Sequence, residues 1–271
     1  VVGGLLGEGG RVVGVSDRHV VYDPATGQST MMAALPAPRH HPQAVSAGGK
    51  LYVLGGFGTN AGAVNWIMQS ETLVLDEAAG AWRALAAAPA PHGESTAAVV
   101  GQRIHIVGGR APKGAANLAY GDHADTDHHL VYDTGANAWS KAAPALSKRN
   151  SAAGAMIGGL WHVAGGRHVA DGPSDAHEVY DPKEDRWRTA APMPKGSGAG
   201  GNAARLQHDD PFAGQPGRIE QSQRHPRGLA GAGRRHQHGS IGRAQRVGQL
   251  VQHGVDGQGC RESPGHDTRI C

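Results

Sequence analysis

Between Tyr120 and Leu130 the chain reads YGDHADTDHHL, which sets Asp122, His123, Asp125, Asp127, His128 and His129 within eight positions. Carboxylate oxygens and imidazole nitrogens at that density could serve Zn²⁺ or another divalent ion. The stretch lacks the glycine and closing glutamate of a calcium loop. Alternation near a strand start would also turn successive side chains to opposite sides. A solvated acidic loop is therefore the reading preferred over a metal site, and no cofactor is expected. Acid–base chemistry has one candidate pair, Glu94 and His41, which needs the two loops to face each other. Three polar triplets suit ligand binding instead: Arg39-His40-His41, His92-Gly93-Glu94 and Arg149-Asn150-Ser151. Arg110 and Arg167, each directly after a double glycine, join them as candidates.

What would position these residues is a repeat. LYVLGG at 51–56 returns as IHIVGG at 104–109 and WHVAGG at 161–166. The glycine pairs stand 53 and 57 residues apart, and an alternating apolar run before each reads as a strand. A second strand ends in LVLDEAAGAW, LVYDTGANAW and EVYDPKEDRW, and an earlier copy, VVYDPATGQS, carries Ser29 in place of Trp82, Trp139 and Trp187. From Ser29, Trp82 and Trp139 to the next glycine pair is always 26 residues, so only the loop after the glycines is elastic. Each unit predicts four short strands, near 43–47, 50–55, 71–76 and 81–86 in the first full copy. Four strands cannot bury both faces of their own sheet, whereas sheets set radially bury one another. Tryptophan would fill the space between sheets, and the glycines would allow close approach and a sharp turn. His105 and His162 align with Tyr52, which predicts packing for both.

The double glycine, the Tyr-Asp and the tryptophan seven residues after the tyrosine resemble the kelch repeat. The resemblance covers residues 1–204 and implies an all-β, kelch-type β-propeller, here incomplete: three full four-stranded blades plus partial ones, with VVGG at 1–4 as a remnant second strand. It implies that the three triplets ring the mouth of the channel, on loops joining strand four to the next strand one. Polar there in every copy, yet different in each, they behave as binding positions do. The resemblance does not imply one activity. A binding module for a protein or carbohydrate is the first expectation. A carbohydrate-active enzyme, a mutarotase or epimerase or a galactose-oxidase-like oxidase, is the alternative. The oxidase chemistry needs a cysteine crosslinked to tyrosine, and residues 1–204 contain no cysteine.

At Ala204 the pattern stops. The net charge of +3 is carried by residues 205–271, which hold ten arginines, no lysine and six acidic residues, against 16 basic and 17 acidic residues before them. Nine of the 67 are glutamine, and no tryptophan or tyrosine occurs among them. Such a composition buries too little apolar area to fold, so this second region, with Cys260 and Cys271, is expected to have no fold. The break falls in mid-blade, which favours a shifted reading frame over a natural disordered tail. Scattered charge without interleaved aromatics argues against nucleic acid as a partner. No apolar run is long enough to span a membrane. Open propeller edges predict self-association. The compartment is left open.

Overall fold

The computed structural model describes residues 1–60 and 66–194, with the backbone of 269–270 besides. The described part of 1–194 belongs to one compact unit. The expectations for 205–268 and 271, including the cysteines and the frame shift, lie outside the described residues.

The chain opens with two hairpins, β1 (Leu5–Glu8) with β2 (Arg11–Val15) and β3 (His19–Asp23) with β4 (Gln28–Met32). Then come β5 (Arg39–His40), β6 (Gln43–Ala47), β7 (Lys50–Leu54), β8 (Phe57–Gly58), β9 (Ile67–Met68), β10 (Thr72–Asp76) and β11 (Ala81–Ala84). The next unit holds β12 (Thr96–Val100), β13 (Arg103–Val107), β14 (Arg110–Pro112), β15 (His123–Asp125), β16 (His129–Asp133) and β17 (Ala138–Lys141). The last holds β18 (Ala153–Ile157), β19 (Leu160–Ala164), β20 (Arg167–His168), β21 (Gly172–Pro173), β22 (His177–Asp181) and β23 (Arg186–Thr189). A two-residue strand, β24 (Arg269–Ile270), lies antiparallel to β1, although no element was expected that far along the chain.

Three antiparallel four-stranded blades result, in the order β6-β7-β10-β11, β12-β13-β16-β17 and β18-β19-β22-β23. They are blades 1 to 3 of a β-propeller arc, with strand limits close to those the alternation predicts. A leading blade precedes them. Val2 bridges His19, and Gly3 N–H donates to Arg18 O at 2.8 Å, as Gly55 does to Glu71 O at 3.0 Å and Gly108 to His128 O at 3.0 Å. Val1–Gly4 therefore occupies the strand-two place that its sequence suggests. The elastic loop was expected to be plain loop. It instead forms a small hairpin in every copy: β1/β2, β8/β9, β14/β15 and β20/β21.

The cores lie between blades. Tyr52, Leu54 and Val74 of blade 1 meet Ile104, Ile106 and Tyr132 of blade 2. Ala98 and Val107 of blade 2 meet Trp161, Val163, Tyr180 and Trp187 of blade 3. Tryptophan also makes a polar contact at each joint. The indole N–H of Trp82, Trp139 and Trp187 donates to Ala33, Ala86 and Ala143 O, at 2.9, 2.9 and 2.8 Å. Two residues earlier, Asn137 and Asp185 accept from the backbone N–H of the same Ala86 and Ala143, at 2.9 and 2.8 Å, and from the hydroxyls of Tyr132 and Tyr180. Both groups of one linker residue are thus held by the following blade. The aspartate of each Tyr-Asp shapes the turn after its strand, as with Asp23 accepting from Ala25 N–H at 2.8 Å and Asp133 from Gly135 N–H at 3.0 Å.

The paired glycines sit where two backbones meet. The second of each pair donates to the next blade, Gly56 to His92 O and Gly109 to Arg149 O, at 2.9 and 2.8 Å. A Cβ on Gly108, at φ +63°, would stand 2.8 Å from Arg149 O. No side chain fits there. Among the described residues no helix is long and apolar enough to cross a membrane.

Candidate functional site

The loops between strands four and one and the hairpins after the glycines share one face of the arc. Backbone pairing joins them: β5 to β8, Gly93 to Arg110, and Asn150 to Arg167. The three triplets thus lie at one register, as predicted, and Arg110 and Arg167 lie beside two of them. Their side chains, however, are largely turned into the joints between blades.

At the first triplet position, Arg39 is buried against Gly55 O at 3.3 Å and pairs with Glu71. Arg149 is buried against Glu178, 2.6 Å away, and Val163 O at 3.2 Å. His92 lies edge-on to Trp139, 6.1 Å between ring centroids, and burial pushes its ring down to about 4. At the second position, His40 stacks on Phe57 at 5.1 Å, and the edge of Phe57 takes the space a side chain on Gly93 would fill. At the third position, His41, Glu94 and Ser151 all hold left-handed backbone, φ 51°, 54° and 53°, although none is glycine. Such strain persists only where surrounding contacts over-determine it, and it concentrates at ligand clamps.

Blades 2 and 3 are joined here by a polar chain. Arg167 donates to Glu94 Oε1 and to Asn150 Oδ1, both at 3.0 Å. Asn150 Nδ2 donates to Asp125 Oδ1 at 2.6 Å, and Val169 N–H donates to Asp125 Oδ2 at 2.7 Å. Burial raises the Glu94 carboxyl above the usual range, against the opposing pull of Arg167 and Arg110. Glu94 thus has an arginine as its partner, and the His41 ring lies 2.6 Å, Nδ1 to Nδ1, from His40. Each member of the acid–base pair read from the sequence thus has a neighbour of its own, Arg167 for Glu94 and His40 for His41.

Blades 1 and 2 are joined by aromatics. Trp66 packs edge-on against His40, Phe57 and Tyr120, at 5.1, 5.1 and 5.0 Å. The guanidinium of the buried Arg110 lies 3.5 Å from the centre of the Tyr120 ring and donates to Tyr120 O at 2.7 Å. Asn117 fixes the two loops by bonding both backbone groups of Met68, at 3.0 and 3.1 Å. The outer rim of this ledge, Tyr120 with Leu118, is exposed.

The Asp/His stretch disperses. Asp122 accepts from the N–H groups of Leu118 and Ala119, which holds its carboxyl below the ordinary range. His123 lies 2.9 Å from Asn117, and Asp125 belongs to the polar chain. His129 sits in the blade 2–3 joint, 2.9 Å from Ala143 O. Asp127 O accepts from Ala145 N–H, and His128 N–H donates to Thr126 Oγ1. Among the described residues no three His, Cys, Asp or Glu side chains come together as metal ligands. Trp66 and Asn117 were absent from the sequence reading because the variable loops have no repeat to align. The available signal was Trp66 itself, a tryptophan in a loop of changing length.

A family model described as "Protein of unknown function (DUF1668)" matches residues 4–146, just over half of the chain. Kelch-like protein 25 of Xenopus tropicalis is 30% identical over 173 residues, covering 64% of this chain and 26% of that protein. Kelch-like protein 38 of Homo sapiens is 26% identical over 195 residues, 70% of this chain and 30% of that protein. Kelch-like protein terF of Aspergillus terreus is 24% identical over 173 residues, 63% of this chain and 37% of that protein. The chain thus spans between about a quarter and two fifths of these relatives.

Proposed function

The chain belongs to the DUF1668 family and is built as a kelch-repeat β-propeller, and from that premise we propose that it is a binding module which takes a protein partner on the face carrying the three triplets. The observation that carries the reading is the shared left-handed backbone of His41, Glu94 and Ser151, set beside a rigid aromatic ledge. Ion pairs such as Arg167–Glu94, whose carboxylate is buried, preorganise this face, so little ordering is left to oppose association. Trp66, Tyr120 and Leu118 supply the aromatic and apolar anchor on which interface energy concentrates. His41, Ser151 and Arg167 complete the polar surround.

The test is capture with a photo-crosslinking amino acid at Leu118. A discrete adduct that is lost in Trp66→Ala/Tyr120→Ala supports the reading. Labelling unchanged by those substitutions overturns it. A carbohydrate ligand is the second reading, favoured by an exposed aromatic, Tyr120, and a buried carboxylate, Glu94, carried on the same set of loops. Saturable sugar binding without a protein adduct would move the assignment there. Turnover of a sugar that is lost in Glu94→Gln would make the site catalytic.

A further inference from the structure

We propose that the chain holds a small hydroxylated aromatic compound in a cleft between blades 2 and 3, a site separate from the face of the three triplets. The cleft has a volume of about 420 Å³, within the roughly 300–1,000 Å³ of small-molecule sites. Turn residues at the strand ends opposite the triplets line it, Gln102 and Arg103 from blade 2 and Pro182 and Asp185 from blade 3. From there it runs in to the buried His105 and Tyr180.

The neighbouring joint shows why there is space. Where blades 1 and 2 meet, Tyr52 and Leu85 pack into the shared core, and Arg83 lies within electrostatic reach of Tyr132. The matching residues of blade 2 are His105, Ala142 and Ser140, each smaller, and all three line the cleft. Toward the turns the trend reverses, with Val100, Gln102 and Lys141 in place of Ala47, Gly49 and Ala84. The second joint is thus hollowed inside and built up at its rim.

The polar groups of the interior accept rather than donate. Ala143 O can only accept, so His129 Nδ1 carries the proton in their 2.9 Å contact. Burial holds both rings below the usual histidine range, so each is neutral at neutral pH, and His129 Nε2 accepts from His105 Nδ1 at 2.9 Å. His105 Nε2 then keeps a lone pair, and no described residue donates to it. Asp185 is alike. Its Oδ1 takes both the Tyr180 hydroxyl and Ala143 N–H, at 2.7 and 2.8 Å, which leaves Oδ2 over. A ligand hydroxyl donates to either acceptor. Val131 and Tyr180 give the wall an apolar surface. Arg103 and Lys141 place cations at the rim, which the face of an aromatic ring attracts. An anionic ligand would instead meet Asp133 and Asp185 and find no donor at His105.

2-Naphthol and 2-methoxynaphthalene share a ring system and differ in the hydroxyl donor. Calorimetric titration of the full chain with 2-naphthol is expected to saturate at one molecule per chain. 2-Methoxynaphthalene is expected to bind at least about fivefold more weakly, the effect of one hydrogen bond. His105→Tyr and Ala142→Leu put back the side chains that blade 1 uses, and each is expected to weaken 2-naphthol at least about tenfold by filling the cleft. Ser140→Arg, at an exposed position, narrows the same space and decides the matter if neither of the others folds. No saturable binding, equal affinity for the two compounds, 2-naphthol binding that persists in the filled variants, or its loss on Trp66→Ala instead, would overturn the proposal.

Discussion

Arg149 and Glu178 meet with almost no access to water, and Glu178 also accepts from Leu146 N–H and Ser147 Oγ. Removing one partner strands the other charge, so Glu178→Ala is expected to lower unfolding free energy by about 3–5 kcal/mol, and Arg149→Met/Glu178→Leu to recover most of it. Urea titration of the three variants checks both parts. The glycines separate two effects that sequence alone merges. Gly101, at φ +61° with nothing within 4 Å of a built Cβ, gives the conformational penalty alone, about 1 kcal/mol on change to alanine. Gly108→Ala adds the collision with Arg149 O and is expected to lose at least about twice as much. Comparable losses at the two positions would deny the close approach of blade 3. Gly108 was legible because it recurs. Glu178 was not, since Leu73 and Leu130 hold its place in blades 1 and 2 and nothing in the repeat announces a charge there.

Between elements, the joint is the unit of stability. Trp139 and Asn137 grip Ala86, while blade 1 has Gly80 at the place of Asn137 and Leu75 at the place of Tyr132. Gly80 already has φ +59° and open space for a side chain, so Gly80→Asn can supply the missing acceptor to the leading blade. A gain of about 0.5–1.5 kcal/mol in thermal or urea unfolding is expected, and a loss would show that the grip does not transfer. The joints also respond to acid. Burial pushes His92 and His105 down to about 4. In the unfolded chain both take a proton near pH 6.5. Between those values the unfolded state binds more protons, so stability is level above about pH 6.5 and falls as the pH drops toward 4. His105→Tyr, the residue blade 1 uses as Tyr52, is expected to flatten that fall, and an unchanged pH profile would remove His105 from its cause. The strands and the tryptophan positions were readable because packing between sheets imposes a period. The hairpins after the glycines were not, because their short strands pair with loop backbone and carry no apolar alternation.

For the whole molecule, burial flows from blade to blade, and each blade depends on its neighbour for a core. The period was in the sequence, and so was the register of the three triplets. Their burial was not, because Arg39, Arg149 and Glu94 are of types usually left in water and are taken inside only by partners distant in sequence. Site-resolved hydrogen exchange at the backbone N–H groups of Ala86 and Ala143 tests the joint most directly. Trp187→Ala should strip protection from Ala143, which Asp185 and Trp187 hold, and leave Ala86 protected by Asn137 and Trp139. Ala143 protection that survives the loss of Trp187, or equal loss at both alanines, would contradict a fold assembled joint by joint.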